Sequence, residues 1–315
     1  AGGLSVEASP AGLGQPRFLP TMSLLVVRRL PLLEKAQKKL PVLGTCVFIV
    51  LFYVFHTSSH CLPLLRDAAT FREGVEELSL FTFLATMIVV CFAKSILVHP
   101  GTVPGDVESV WANTSLSTEV NVQERKQSGM RRWCKWCGTY KPDRCHHCRK
   151  CNLCVLRMDH HCPLLDTCLG FQNHKYFVLL LLYSTLACHM MFWTLFQNWQ
   201  MSSWSTTLLG GVVACATVFL SMFLAFHFVL AVKGLTTIEY LEKTKLDCDR
   251  PLFNRGILGN LKATFGDNVL LWLLPCSPPA GDGFTFVSEE MKLARKTLTH
   301  AVRLYSNPDE IKRDL

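Results

Sequence analysis

Long stretches without formal charge dominate this sequence. No Asp, Glu, Lys or Arg lies between Lys39 and Arg66, Leu78 to Val98 carries only Lys94, and Tyr176 to Val232 carries none. A hydrocarbon layer roughly 30 Å thick takes about 20 apolar residues at about 1.5 Å per residue to cross as a helix. The sequence therefore predicts membrane helices over 40–63, 78–98, 176–198 and 208–232, with the polar run Asn198 to Thr207 as the hairpin between the last two. Any one of them alone would also suit a buried core helix. Four at spanning length predict an all-α polytopic membrane protein. Lys94 falls near the end of its segment, where a long side chain lifts its ammonium to the interface.

Lys and Arg sort the loops. The loop 57–77 holds Arg66 and Arg72, and 198–207 holds neither type, whereas residues 1–40 hold six, 99–175 eleven and the tail from Lys233 twelve. This bias places both termini and the central loop in the cytoplasm, of an endomembrane (Golgi or endoplasmic reticulum) or of the plasma membrane. It also accounts for the net charge of +8, so no nucleic-acid partner is expected. Residues 1–21, rich in Gly, Ala, Ser and Pro, read as disordered, with Met22 as a candidate natural start. Segment 23–40, with Arg28, Arg29, Lys35, Lys38 and Lys39, suits either an interfacial helix or a solvated basic tail. Beyond the fourth span, 251–275 is moderately apolar and Ser288 suits the cap of a basic helix running towards Tyr305. Asn113-Thr-Ser is a glycosylation sequon that a cytoplasmic loop leaves unused. No internal repeat is evident apart from the cysteine spacing.

That spacing is the second constraint. Eight of the fifteen cysteines lie between residues 134 and 168, as Cys134-x-x-Cys137, Cys145-His146-His147-Cys148, Cys151, Cys154, Cys162 and Cys168, with His160 and His161 among them. A Cys-x-x-Cys pair bends round one ion, and tetrahedral structural zinc takes four N or S ligands. Twelve candidate ligands supply two sites with four groups left over. In a reducing compartment such thiolates persist, and zinc binding supplies much of the folding free energy of so short a loop.

Asp159-His160-His161-Cys162 carries chemistry of its own. In an extended chain successive side chains alternate, so His160 and Cys162 share a face while His161 points away. One His can then bind zinc while the other serves the thiol. Asp159 can orient the imidazole of His160, which can take the proton of Cys162, the arrangement of an activated nucleophile. A further ligand set or a plain knuckle would use the same residue types.

From about Leu40 to Pro275 the chain resembles the DHHC family of integral membrane protein S-acyltransferases. The resemblance rests on Asp159-His160-His161-Cys162 within the Cys-rich stretch (about 132–175), the flanking spans, Thr236-Thr237-Ile238-Glu239 after the fourth span, and Asn260 and Gly266 beyond it. It implies one zinc on Cys134, Cys137, His147 and Cys154 and a second on Cys148, Cys151, His161 and Cys168. Cys162 is then the nucleophile, His160 its base and Asp159 the orienting carboxylate, with Cys145 spare. Thr236, Thr237, Glu239 and Asn260 are expected to support the site, a helix cap being the plainer role for the first three. The implied reaction is ping-pong transfer of a long acyl chain from acyl-CoA, such as palmitoyl-CoA, to cysteines of membrane-proximal proteins.

For the CoA head group, Lys141, Arg144 and His146 are the expected contacts, in a face that also offers Arg131, Arg132, Lys135, Arg149 and Lys150. Phe177, Leu180 and Ala187 are the expected lining of an acyl cavity that ends near residues 187–190, with His189 and His227 as further marks of it or as helix-to-helix bonds. The chain departs from the family pattern at Leu164, Asp166 and Thr167 after the motif, and at His99 before Pro100-Gly101. A catalytically inactive zinc-domain scaffold or adaptor is the alternative function. Substrate proteins, accessory subunits and oligomeric state are not readable.

Overall fold

The computed structural model describes residues 23–103, 124, 128–197, 204–243, 252–277, 279, 281–286 and 297, with side chains described from Lys39. The chain divides into two units, residues 1–40 and 41–315, and the candidate site residues all belong to the second. The expectations for residues 1–21, the sequon at Asn113 and the helix after Ser288 lie outside the described residues.

Helix α1 (Ser23–His56) runs without a break into a π-helical turn (Thr57–Cys61) and then α2 (Leu62–Arg66). Its membrane-length portion is Lys39–Arg66. Helices α3 (Phe71–Leu97), α4 (His174–Gln197) and α5 (Trp204–Lys233) are the other long apolar ones. All four portions are 24 to 28 residues long, enough to cross the bilayer. Their outer faces present Phe48, Leu51, Phe83, Phe219 and Met222, which lipid covers. Lys94 Nζ lies 5.2 Å from the centre of the Tyr176 ring.

Between α3 and α4 the chain forms three short hairpins, β1–β2 (Trp133–Cys134, Thr139–Tyr140), β3–β4 (His146–Cys148, Leu153–Val155) and β5–β6 (His160–Cys162, Thr167–Leu169). After α5 come α6 (Thr237–Lys243) and α7 (Gly256–Phe265).

Buried polar side chains tie these layers together. Asn173 is fully buried; its Oδ1 accepts from Gly170 N, and its Nδ2 donates to the carbonyls of Ser95 and Cys168. One amide thus joins the end of α3, the last hairpin and the start of α4. Gly170 is required beside it, since a Cβ there would stand 2.6 Å from Val155 and 2.9 Å from two carbonyls. On the other side, Arg144 makes two hydrogen bonds of 2.6 and 2.8 Å to the Glu239 carboxylate and one to Gly234 O. Burial opposes the charge on Glu239, but Arg144 and the Thr236 N–H hold its pKa below the usual carboxylate range. Losing one partner of such a buried pair leaves the other's charge uncompensated, which costs about 3–5 kcal/mol. Gly234, at φ 68°, is packed so closely on Asn260 that a Cβ would overlap its amide.

Candidate active site

The three hairpins are one structure repeated every fourteen residues. Cys134 pairs with Thr139, Cys148 with Leu153 and Cys162 with Thr167, and the next pair outward is Trp133–Tyr140, His147–Cys154 and His161–Cys168. Each turn needs a left-handed residue at the same place: Gly138 (φ 64°), Asn152 (54°) and Asp166 (47°). Gly, Asn and Asp are the residues that tolerate this conformation. The repeat is therefore more than a run of cysteines.

Ligand groups follow from it. The thiols of one hairpin turn meet the His and Cys of the next hairpin, so Cys134 and Cys137 gather with His147 and Cys154, and Cys148 and Cys151 with His161 and Cys168. Within each group the donor atoms all lie within 4.8 Å of one another. His147 Nδ1 is 3.3 to 4.0 Å from its three sulfurs and His161 Nδ1 is 3.4 to 3.7 Å from its own. A tetrahedral ion with bonds of about 2.1–2.3 Å sets donors roughly 3.6 Å apart, so both groups can hold a metal ion. Among the described residues the thiol of the third hairpin joins no such group, and the remaining candidate set beside it, Asp159, His174 and His227, contains no sulfur. The third turn reads Cys162-x-x-Leu165, and Cys162 is left out of both clusters.

Other partners serve that sulfur. His160 shares the face of β5 with that sulfur and, with the Leu165 and Leu164 N–H groups, favours its thiolate, as Cys151 N donates to Cys148 Sγ at 3.4 Å in the preceding turn. Burial works against a Cys162 thiolate, but His160 and these amides outweigh it and hold the pKa below the usual thiol value. Burial likewise works to lower His160, and Asp159 and Cys162 raise it instead, to about 9. The two groups favour a thiolate–imidazolium pair.

Asp159 lies behind them, 1% exposed. Its Oδ2 is 2.7 Å from His160 Nδ1 and accepts from Thr237 Oγ1 at 2.8 Å; its Oδ1 accepts from Thr237 N at 2.9 Å and stands 3.6 Å from His174 Nε2. Burial opposes its charge, yet His174, His160 and His227 hold it well below the usual carboxylate range. With both oxygens bonded, Asp159 fixes His160 in one tautomer and orientation. Thr236 and Glu239 form a reciprocal cap at the start of α6, Glu239 N donating to Thr236 Oγ1 and Thr236 N to the carboxylate. Cap and support thus coincide, because the same Glu239 holds Arg144. Asn260 bonds Val232 O, Asn254 and Arg255 N, fastening α7 beneath α5.

On its other side Cys162 opens into a cavity of about 510 Å³ between all four long helices. His160, Cys162, Leu164 and Leu165 form one end. Phe177, Leu180, Ser184, Ala187, Cys188 and Met191 of α4 line its length, opposite Phe52, Phe81, Ile88 and Phe223. From Phe177 to Met191 the helix advances about 21 Å. Met190 and His189 do not line it, and His189 Nδ1 instead lies 2.9 Å from Thr185 O of its own helix.

The family model described as DHHC palmitoyltransferase matches residues 127–244. That segment carries both ligand clusters, the Asp159–His160–Cys162 array and Thr236 to Glu239. Residues 127–244 are a DHHC-family domain. The chain is similar to palmitoyltransferase ZDHHC15 of Xenopus laevis (38% identical over 185 residues, 54% of this chain and 54% of that protein). It is also similar to ZDHHC15 of Mus musculus (32% over 211 residues, 63% of each) and ZDHHC2 of Danio rerio (34% over 183 residues, 54% and 51%). The chain spans between half and two thirds of the length of these curated relatives.

Two expectations about the DHHC domain need correction. Arg144 is not offered to a CoA head group on an open face, because it is 3% exposed and its Nε and one terminal nitrogen are taken by Glu239 and Gly234 O. His146 is largely buried, and burial together with Arg132 lowers it to about 4, so it carries no charge at neutral pH to attract phosphate. Lys141 and His146 are both partly open to solvent, unlike Arg144. Arg132 is also engaged, with Glu124 and Pro142 O.

The departures from the family pattern have local explanations. Asp166 fills a left-handed turn position. Leu164 is 61% exposed at the cavity mouth. His99 Nδ1 accepts from Gly101 N at 3.3 Å, the two-residue bond an Asp would make there. Sequence reasoning missed Asn173, His174 and the placement of His227, whose ring lies 5.9 Å from that of His160. His227 lies among aromatic rings beside the Asp159–His160–Cys162 array, outside the cavity lining. Its one legible signal was a histidine in the middle of an apolar span.

Proposed function

We propose that this chain is a protein-cysteine S-acyltransferase using a long-chain acyl-CoA such as palmitoyl-CoA. The observation that carries the reading is Cys162, a thiol outside both Cys₃His clusters, beside an Asp-oriented His160 and opening into an apolar cavity. Its volume falls in the roughly 300–1,000 Å³ range of small-molecule sites, and its length suits a sixteen-carbon chain of roughly 20 Å.

In the first half-reaction the Cys162 thiolate attacks the thioester carbonyl, the C–S bond to CoA breaks, and the departing CoA sulfur takes the proton from His160. In the second, His160 removes the proton of an incoming protein thiol, which attacks the acyl group on Cys162 and restores its thiolate. One thioester replaces another in each step, so no ATP is consumed. Two zinc ions fit the two Cys₃His clusters, where they would lock the hairpin geometry that presents Cys162. Cysteine-containing proteins near the bilayer are the acceptors. Both termini and the Cys-rich domain face the cytoplasm of an endomembrane or the plasma membrane, by the distribution of Lys and Arg. Mixing the protein with palmitoyl-CoA tests the reading: one CoA per chain should be released in a rapid burst, with no burst from a protein that does not form an acyl-enzyme.

A further inference from the structure

Away from the acyl cavity, a smaller cavity of about 90 Å³ lies between the Cys-rich domain, α7 and the segment 281–286. Among the described residues its walls include three arginines, Arg144, Arg157 and Arg255, and no Asp or Glu. The nearest carboxylate partner, Glu239, is committed to Arg144. Arg157 is 3% exposed; its terminal nitrogens donate to Ala263 O and Thr264 Oγ1, while its Nε is buried with no hydrogen-bond partner. Burial, with Arg144 and Arg255 beside it, pushes the Arg157 guanidinium down to about 9 against the opposing pull of Glu239 and Asp159. Phe253 and Phe286 complete the wall, each with its ring centre 5.2 Å from the Arg144 guanidinium carbon.

Three guanidiniums line one small space and only that of Arg144 is paired with a carboxylate among the described residues, an arrangement that an anion in the cavity would balance. We propose that this cavity binds one tetrahedral oxyanion, a phosphate free or as a monoester, held by Arg157 and Arg255, and that it fastens the segment 281–286 to the Cys-rich domain. The inference does not depend on the acyltransfer reading, since the two cavities share no lining residue.

The test is thermal unfolding of the whole, metal-replete protein in detergent, with sodium phosphate compared with sodium chloride at equal ionic strength. Wild type should gain a saturable stabilisation from phosphate alone. In Arg255→Ala, whose metal content and melting in chloride check its folding, the phosphate concentration needed should rise at least tenfold; Arg255→Lys should fall between. CoA that acts at lower concentration than dephospho-CoA would identify a nucleotide monoester as the source. Stabilisation in nanodiscs of phosphatidic acid over phosphatidylcholine would identify a lipid headgroup, and response to phosphate alone a free anion. Equal effects of phosphate and chloride on wild type, or an undiminished response in folded Arg255→Ala, overturn the proposal.

Discussion

Cys148 and Cys162 occupy the same position in two successive hairpins, fourteen residues apart and in identical register. The first sits in a metal-ligand cluster and the second faces His160. All three hairpins share this turn, whose backbone N–H groups favour the thiolates of Cys148 and Cys162, with Leu165 standing where the earlier turns have Cys137 and Cys151.

Restoring that partner should reverse the change. Leu165→Cys gives the third turn a Cys-x-x-Cys pair, so micromolar Cd²⁺ should protect Cys162 from alkylation in the variant and not in wild type. Equal alkylation rates with and without Cd²⁺ in the variant would show that the third turn lacks the knuckle geometry.

Asp159 acts through orientation. Asp159→Asn keeps the shape but permits the wrong His160 tautomer, and acyl-enzyme formation should fall by roughly 10³–10⁴-fold with metal content unchanged. Thr237→Val removes one of the bonds to the carboxylate and should cost about tenfold, consistent with a hydrogen bond to a charged group worth about 1.5–3 kcal/mol. A Thr237→Val protein with the wild-type rate would remove Thr237 from the orienting set.

The pH dependence follows from the shifted pair. His160 raised to about 9 and Cys162 lowered below the ordinary thiol value mean that the thiolate persists to lower pH than in a free cysteine. The midpoint of iodoacetamide labelling of Cys162 should therefore lie below the ordinary value of about 8.5, and in His160→Ala it should move up. An unshifted midpoint in the variant would mean that His160 does not stabilise the thiolate.

Ala187 is 7% exposed and lines the acyl cavity ten residues beyond Phe177. Filling it with Ala187→Phe should move the preferred acyl-CoA from sixteen carbons to fourteen or fewer, measured as relative acyl-enzyme formation across a chain-length series. An unchanged preference would place the end of the chain elsewhere.

The spans were legible because a bilayer demands length and apolarity, both one-dimensional properties. Ligand identity was legible from residue type and spacing, but the pairing of each turn with the next hairpin came only from family resemblance. The recurrence of Gly138, Asn152 and Asp166 would have supported it. Buried polar residues were the blind spot. Arg144 was read as solvent-facing because charge usually is, whereas Glu239, distant in sequence, makes its burial tolerable. Asn173 and His174 carry no periodic signal, and only the approach of α3, the last hairpin and Asp159 gives them partners.

The central claim is that Cys162 carries the acyl group. The direct measurement is labelling of purified protein with alkyne-tagged palmitoyl-CoA, in wild type and Cys162→Ser, with bound zinc quantified in both. The expected result is a hydroxylamine-sensitive label on wild type that is absent from Cys162→Ser, with two zinc ions per chain in each. A label of equal intensity on zinc-replete Cys162→Ser, or none on zinc-replete wild type, would contradict it.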